Sequence, residues 1–484
     1  MPTYEPTLTS LRTHPVPEWY DDAKLGIFIH WGLFSIPAFA PRLGLIHEVL
    51  RDHYDDYVPC TPYTEWYENA IKFGWSPSAR FHAEHYGGQP YAAFREPFAR
   101  GVAQWDPGAW AALFRAAGAR YVVLVTKHHD GFSLWPTRVR HPYRERWHTG
   151  RDIVGELAAA VRAEGLRFGV YYSGGVDWSF NPTPVRTPVD FLASVPNCEP
   201  YQSYAVSQVR ELIERVRPDV LWNDICWPTE PARLRRLFAD YYNTLPDGVI
   251  NDRWQTPTAL LPLLRTRLGR ALTDGVAKQV IRWLQPDLPS PRVPHCDFRT
   301  PEYTTFRTIR RRKWEATRGL GPSFGYNRDE KAGDMLSSPE LVRLFVDIVS
   351  KNGNLLLNLG PRGDDAAIPA AQAERVLGLG AWLTCNAEAI YGTRPWLRAE
   401  GTSGDGIPVR FTHRGDTLYA IVLGTAPAGT VTLAGIDVKP ARVRLLGGGT
   451  LRAEGSPQGL CIDVPQAPPA SPALAFALDG VGSA

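Results

Sequence analysis

Short apolar runs that end abruptly in polar or aromatic clusters recur through the first 360 residues of this 484-residue chain. A continuous apolar run of this length is typical of a strand that is buried on both faces. The runs occupy residues 25–29, 121–125, 166–170, 219–222, 248–250 and 354–359. They restrict the fold strongly, because strands covered on both faces belong to parallel sheets flanked by helices.

Helices with recognisable ends separate these runs. Asp106 and Pro107 are an N-cap and a first-turn proline, and apolar stripes at helical spacing follow at 153–161, 206–216 and 341–348. A doubly wound nucleotide-binding sheet would need a GxGxxG motif after an early strand, and the sequence has none. Polar clusters at the ends of five runs favour an α/β fold with a (β/α)8-like, TIM-type barrel. Only six or seven good strands are visible, so we expect the barrel to be irregular.

The sequence pattern changes after about residue 396. Short, mostly alternating runs at 418–423, 430–433, 442–446 and 460–464 are separated by turns rich in glycine and proline. Alternation with a period of two predicts strands with one buried face, which build an antiparallel β-sandwich. We therefore expect a catalytic barrel over residues 1–394 and a C-terminal sandwich over residues 395–484.

Charge and composition exclude several classes of partner. Lys and Arg total 53 against 50 Asp and Glu, and this net charge of +3 is too balanced to indicate a nucleic-acid or acidic-membrane partner. The sequence contains no run of about 18 apolar residues, so it predicts no membrane span. Residues 1–19 lack the basic and apolar regions of a signal peptide, so we expect a cytoplasmic protein. The sequence leaves the oligomeric state open.

Single residues at the strand ends admit more than one interpretation. Asp224 follows an apolar strand beside Trp222, where a carboxylate either caps the next helix or lines a cleft. His128 and His129 suit a structural pair, half a metal site or a clamp for a ligand. The sequence has no HExxH motif and no further ligand set at metal spacing, so we expect no metal and no other cofactor.

An ordered set of motifs resembles the α-L-fucosidases of glycoside hydrolase family 29. The resemblance runs from about Trp19 to Pro361, and both the KHHDGF segment and the order of the set are highly specific. The motifs are HWG at 30–32, EWY at 65–67, KHHDGF at 127–132, YYS at 171–173, LWND at 221–224, NDRW at 251–254, DFRTPEY at 297–303, SFGYNR at 323–328 and KNGN at 351–354.

The resemblance implies a retaining, exo-acting α-L-fucosidase that cleaves a terminal fucose from a fucosylated oligosaccharide or glycoconjugate through a covalent glycosyl-enzyme intermediate. Carried over by motif, Asp224 is the nucleophile and Glu302 is the general acid/base. Histidines would bind the sugar hydroxyls, and two phenylalanines would border the methyl group. The implied substrate-binding residues are Phe28, His30, Glu65, Trp66, His128, His129, Tyr171, Trp222, Arg253 and Phe324.

These residue types suit the chemistry of fucoside hydrolysis. The two carboxyl groups of a retaining enzyme lie about 5–5.5 Å apart, and one of them attacks the anomeric carbon. Neighbouring His or Arg donors would keep Asp224 ionised, whereas Glu302 must carry a proton when the leaving oxygen departs. L-Fucose has a methyl group where many sugars carry a hydroxymethyl group, so apolar walls suit that carbon.

The chain departs from the family's pattern between Trp254 and Asp297. Residues 255–294 replace what is usually a short connection, and they include a leucine-rich stretch at 260–264 and a predicted helix over 276–284. A long insertion at this side of a barrel shapes specificity or forms an oligomer contact.

Three further hypotheses remain open. The insertion leads directly to the segment with Glu302, so Glu65 is a second candidate for the acid/base. A catalytically silent fucose-binding protein on the same scaffold would need a missing carboxylate, and neither is missing. A metal-dependent hydrolase would use His128, His129 and Asp130.

Overall fold

The N-terminal part of the chain is built on one parallel sheet of seven strands. The computed structural model describes residues 3–257, 261–284, 293–424, 429–464 and 471–481. The strands are β1 (Leu25–Ile29), β2 (Tyr121–Lys127), β3 (Arg167–Ser173), β4 (Val220–Asp224), β5 (Val249–Ile250), β6 (Trp314–Gly319) and β7 (Gly353–Leu359). Their order across the sheet is β5-β4-β3-β2-β1-β7-β6.

The segment 297–303 connects the two edges of this curled sheet. The amide of Asp297 donates a hydrogen bond to the carbonyl oxygen of Ile250 in β5 at 2.9 Å, and the amide of Tyr303 donates to Thr317 in β6 at 3.0 Å. An irregular segment therefore stands where a regular barrel has its eighth strand. The prediction of an irregular (β/α)8-like barrel is confirmed.

Helices cover the outside of the barrel and connect its strands. They are α1 (Leu8–Leu11), α2 (Glu18–Ala23), α3 (Ile46–Asp52), α4 (Tyr67–Ala70), α5 (Pro77–Tyr86), α6 (Arg95–Gln104), α7 (Pro107–Ala116), α8 (Ile153–Ala163), α9 (Pro188–Ser194), α10 (Glu199–Val216), α11 (Pro231–Thr244), α12 (Leu261–Leu264), α13 (Arg267–Leu284), α14 (Ser338–Ser350) and α15 (Ala370–Asn386). In the described ranges, no helix has the length and apolar character that a membrane crossing needs.

The insertion forms α12 and α13, which pack on α9, and α13 also contacts α3. The predicted helix over 276–284 is too short, because α13 already begins at Arg267. The hydroxyl of Thr266 accepts a hydrogen bond from the amide of Gly269 at 3.0 Å and so caps the new first turn. Residues 258–260 and 285–292 of the insertion, with part of the leucine-rich stretch, lie outside the described residues.

Two antiparallel sheets form the C-terminal part and confirm the predicted sandwich. The strands are β8 (Arg394–Thr402), β9 (Pro408–Arg414), β10 (Thr417–Val422), β11 (Gly429–Ala434), β12 (Arg442–Leu445), β13 (Thr450–Leu451), β14 (Ala453–Ser456), β15 (Gly459–Val464) and β16 (Leu474–Asp479). Six strands form one sheet in the order β13-β12-β16-β10-β9-β8, and β11-β15-β14 form the other. Their facing side chains enclose a core that includes Phe411, Val431, Ile462 and Phe476.

Candidate active site

The carboxyl ends of the barrel strands surround a cavity of about 190 Å³, the end of the barrel where such folds carry their chemistry. The structure brings all twelve residues predicted from the motifs to its wall: Phe28, His30, Glu65, Trp66, His128, His129, Tyr171, Trp222, Asp224, Arg253, Glu302 and Phe324. The other wall residues are Tyr57, Val58, Thr61, Tyr63, Phe191, Ile225 and Thr317.

One guanidinium group joins the two carboxylates. Nη1 of Arg253 lies 2.9 Å from Oδ1 of Asp224, and Nη2 of the same side chain lies 2.9 Å from Oε2 of Glu302. Burial lowers the pKa of Arg253, but the charges of both carboxylates raise it further, so the net shift is upward and the cation persists at any working pH. The guanidinium therefore fixes the positions of the two carboxylates relative to each other.

A second set of donors surrounds Asp224, the last residue of β4. The hydroxyl of Tyr171 donates to Oδ2 of Asp224 at 2.9 Å, and Nε2 of His129 lies 4.0 Å from the same oxygen. Burial and the charge of Asp224 raise the pKa of Tyr171 well above its usual range, so the hydroxyl keeps its proton. The carboxylate of Asp224 is therefore held in one orientation at the wall of the cavity.

Glu302 has its own positioning contact. The hydroxyl of Tyr63 donates to Oε1 of Glu302 at 2.6 Å, while Oε2 is held by Arg253. No sequence motif had indicated Tyr63, which precedes the EWY segment by two residues. Its function depends on a partner 239 positions away, so no local pattern could have identified it.

The segment with Glu302 is anchored to the loop that follows β5. Oδ1 of Asp252 accepts hydrogen bonds from the amide and the hydroxyl of Thr300, at 3.0 and 2.7 Å. The hydroxyl and carbonyl oxygens of Thr300 in turn accept from Arg253 at 3.0 and 3.2 Å. These contacts bring Glu302 to the cavity although the insertion separates it from β5.

Strained backbone follows both carboxylates. Ile225 and Cys226, directly after Asp224, have φ values of 53° and 87°, and Tyr303, directly after Glu302, has a φ of 51°. Positive φ is unfavourable for residues with a Cβ and especially for a β-branched one. Such strain concentrates at functional sites, where the surrounding contacts impose it.

The three histidines of the cavity are neutral. Burial lowers the pKa of His30 to about 3 and lowers the pKa values of His128 and His129 well below their usual range. His30 is oriented by Asn358 at 2.5 Å and His129 by the hydroxyl of Ser173 at 2.6 Å. Nδ1 of His128 is buried and lacks a hydrogen-bond partner within the described ranges. Neutral imidazoles both donate and accept, as sugar hydroxyls require.

Glu65 is the third acidic side chain of the cavity. It lies in the 3₁₀ turn Thr64–Trp66 and accepts a hydrogen bond from the amide of Gly325 at 3.0 Å. Burial raises the pKa of Glu65 to about 8, with the Gly325 amide opposing this shift. Glu65 is therefore protonated at neutral pH, and it can donate a hydrogen bond to a ligand.

Aromatic rings form one side of the cavity. The rings of Phe28 and Phe324 are 6.5 Å apart, and the ring of Phe28 lies 5.4 Å from that of Trp222. Tyr171 stacks on Trp222, over which the guanidinium of Arg253 lies at 4.8 Å. The site thus combines an apolar wall with a ring of polar groups, as carbohydrate sites do.

The structure offers no support for the metal-dependent alternative. Across the described part of the chain, no group of three or more His, Cys, Asp or Glu side chains is arranged to hold a metal ion. Asp130 accepts hydrogen bonds from the hydroxyl of Tyr91 and the amide of Phe132, both at 2.9 Å. These two hydrogen bonds hold the carboxylate of Asp130 away from His128 and His129.

A larger cavity of about 940 Å³ adjoins the first. The two share Phe191, Asp224, Ile225 and Arg253. Leu264 of α12 contributes to the wall of the larger space, so the insertion borders the site here.

Comparison with known proteins identifies the family. The family model described as "Alpha-L-fucosidase" matches residues 1–388. The chain is 31% identical to the tissue alpha-L-fucosidase of Bos taurus over 494 aligned residues, which cover 98% of this chain and 90% of that protein. Two crystal structures of Thermotoga maritima alpha-fucosidase, one with fucose and one with a mechanism-based inhibitor, are each 40% identical, cover 98% of this chain and 100% of theirs, and have TM-scores of 0.82 and 0.83. The chain therefore belongs to the α-L-fucosidase family, glycoside hydrolase family 29.

Proposed function

We propose that Asp224 and Glu302 are the two carboxylates with which this fucosidase hydrolyses a terminal α-L-fucosyl residue with retention. The observation that carries the assignment is the shared contact of both groups with Arg253 at the wall of one cavity. Two carboxylates on one guanidinium are near enough to act on a single anomeric carbon, as a retaining mechanism requires. The cavity is smaller than the roughly 300–1,000 Å³ of drug-sized ligand sites, so it suits one terminal sugar.

In the first step, Asp224 attacks the anomeric carbon and Glu302 gives its proton to the departing oxygen. In the second step, Glu302 takes a proton from water, which attacks the same carbon and releases the sugar from Asp224. The Arg253 and Tyr171 contacts hold the carboxylate of Asp224 in one orientation for this attack. The Tyr63 and Arg253 contacts hold both oxygens of Glu302 in place at the cavity wall.

Neutral donors and an apolar wall account for recognition of fucose. His30, His128, His129 and protonated Glu65 present hydrogen-bonding groups to the sugar hydroxyls, and Phe28 and Phe324 offer an apolar surface to the methyl group. The Thermotoga relative whose structure contains fucose supports this substrate class. We extend the proposal to fucosylated oligosaccharides and glycoconjugates as the larger substrates.

Replacement of the nucleophile tests the proposal. Asp224→Ala should abolish hydrolysis of an aryl α-L-fucoside, and added azide should restore release of the phenol, because the smaller side chain leaves room for attack from the same face. The product should be the β-fucosyl azide, which NMR distinguishes from the α anomer. Full activity of Asp224→Ala, or an α-azide product, would refute the assignment. Fucose binding by the unaltered chain without turnover of any fucoside would indicate a silent binding protein.

A further inference from the structure

Helix α13 of the insertion has its apolar side chains on the outside. Leu268, Leu272, Val276 and Val280 follow one another at intervals of four residues, and they are 71%, 65%, 64% and 40% exposed. With Leu263 of α12, they make up five of the eleven strongly exposed large apolar side chains in the described ranges. Their concentration on one helix distinguishes them from the scattered exposed apolar residues of ordinary surfaces.

The polar face of α13 is directed toward the barrel. Arg270 pairs with Asp190 of α9 at 3.4 Å, and Asp274 accepts a hydrogen bond from the hydroxyl of Tyr54 at 2.9 Å. Lys278 pairs with Asp55. A surface helix of a monomer normally has the opposite arrangement, with its apolar stripe against the core and its charges in water. The outward stripe of α13 is therefore arranged for a partner.

From this arrangement we infer that α13 is an interface between two copies of this chain, which pack their stripes together in antiparallel orientation about a two-fold axis. The large side chains of Leu268, Leu272 and Val276 form a ridge on the exposed face. The small residues Ala271 and Gly275 lie beside this ridge and leave a groove that the ridge of a second copy can fill. A surface with both a ridge and a groove can pack against itself, as the interface of a symmetric dimer requires.

Charge favours the antiparallel arrangement. None of the charged residues between 267 and 280 lies on the stripe, and the exposed Arg267 stands at the start of the helix. There it is unfavourably placed, because the N-terminal end of a helix carries partial positive charge. In an antiparallel pair, Arg267 of one copy lies near the C-terminal end of the other helix, where a cation is stabilised.

Helix α13 can form the centre of a dimer contact but is smaller than a whole standard interface. An 18-residue helix is about 27 Å long, and two such helices supply only part of the roughly 800 Å² that each partner buries in a standard interface. Leu263 on α12 and Leu192 on α9 are 54% and 45% exposed. Both helices pack on α13, but Leu192 lines the larger cavity, so only Leu263, which lies against Gly269 of α13, adds to the apolar surface.

A lipid surface fits these observations less well. Helices that lie on membranes place Lys and Arg on the polar face, where they meet the lipid headgroups. In α13 the corresponding residues, Arg270 and Lys278, are paired with carboxylates of the barrel. They are turned away from the surface that the stripe would present to lipid.

The test is the mass of the full chain in solution, measured by analytical ultracentrifugation at about 10–100 µM. The unaltered chain should sediment as a dimer, and Leu272→Asp should sediment as a monomer with unchanged hydrolysis of an aryl fucoside. Leu397→Asp is the matched control, because Leu397 is 75% exposed on β8 and lies outside the insertion. This control should remain dimeric.

Cross-linking tests the antiparallel orientation. A chain with Leu268→Cys, mixed with a chain with Val280→Cys, should form a mixed disulfide under mild oxidation more readily than either chain alone. The unaltered chain measures the background from its own exposed Cys198 and Cys385. A monomeric unaltered chain, or a dimer that survives Leu272→Asp, would overturn the inference. Monomers that bind phosphatidylserine vesicles through the stripe would also overturn it.

Discussion

At the scale of single residues, three acidic side chains share the cavity and differ in their surroundings. Asp224 and Glu302 are held by Arg253, whereas Glu65 is buried next to the amide of Gly325 and has a pKa raised to about 8. At neutral pH, Glu65 is therefore a neutral hydrogen-bond donor, whereas Asp224 is the group that we propose as the nucleophile. The environments of the carboxyl groups, more than their identities, determine the roles that we assign.

Leaving-group dependence distinguishes Glu302 from Glu65 as the acid. Glu302→Ala should lower kcat/KM for a poorly activated aryl fucoside by about 10²–10⁴-fold, the usual contribution of acid–base catalysis. A dinitrophenyl fucoside should be affected much less, because its leaving group departs without a proton. Glu65→Gln is the comparison, and it should lower both rates by a similar factor. Glu65 would be the acid if Glu302→Ala lowered kcat/KM equally for the two substrates, or if Glu65→Gln lowered it much more for the poorly activated one.

At the scale of elements, β6 shows how a barrel strand can contain a buried acid. Glu315 is the second residue of β6 and is fully buried. It accepts hydrogen bonds from Tyr20 at 2.8 Å, Tyr121 at 2.5 Å and the indole of Trp222 at 3.1 Å. Burial raises the pKa of Glu315 to about 7, although the three donors oppose this shift. Through Trp222, this carboxyl supports the apolar wall of the active site.

The raised pKa predicts a specific pH dependence of stability. Between about pH 4.5 and 7 the folded chain keeps the proton of Glu315 and the unfolded chain releases it, so this group's contribution to stability is lost as the pH rises. Between pH 4.5 and 7, the free energy of unfolding of the unaltered chain should therefore fall more than that of Glu315→Gln. The difference between the two changes should be on the order of 3 kcal/mol.

Urea unfolding at several pH values measures this difference. The matched control is Glu164→Gln, at an exposed glutamate after α8, and it should leave the pH dependence unchanged. An unchanged pH dependence in Glu315→Gln would contradict the prediction.

At the scale of the whole molecule, the six-stranded sheet is shared between two cores. One face packs against the three-stranded sheet, while Tyr419, Ile421 and Ala475 on the other face belong to the barrel's own core. Polar contacts reinforce this packing: the indole of Trp382 in α15 donates to Ala473 at 2.9 Å, and Arg410 of β9 pairs with Asp347 of α14 at 2.6 Å. The predicted division into domains at 394/395 stays a prediction, but the two parts are expected to unfold together.

A core substitution in the C-terminal sheet should therefore lower the stability of the barrel. Ile421→Ala removes a fully buried side chain and should cost about 2–5 kcal/mol. Circular dichroism and residual fucosidase activity should show one common, lowered midpoint on heating. Leu397→Ala, at an exposed position, should leave the midpoint unchanged. Activity that survives a separate, earlier transition of the sheet would show that the barrel is independent.

Local sequence patterns were sufficient to predict much of the fold. Six of the seven barrel strands appear as apolar runs, because a strand buried on both faces must be apolar along its length. β6 was missed because Glu315, Thr317 and Arg318 interrupt its apolar character, and only the donors from Tyr20, Tyr121 and Trp222 make the buried acid tolerable. Those donors are remote in sequence, so no local pattern includes them.

By itself, the sequence determined the order of strands and helices, the change to a sandwich and, through its motifs, the residues around the cavity. Only the tertiary structure decided how these residues act on one another. The contact of Arg253 with both carboxylates, the hydroxyl of Tyr63 on Glu302 and the outward stripe of α13 follow from closure of the barrel by the segment 297–303 and from packing of the insertion on α9. Periodicity records which face of an element is apolar, whereas contacts between distant segments depend on the complete fold.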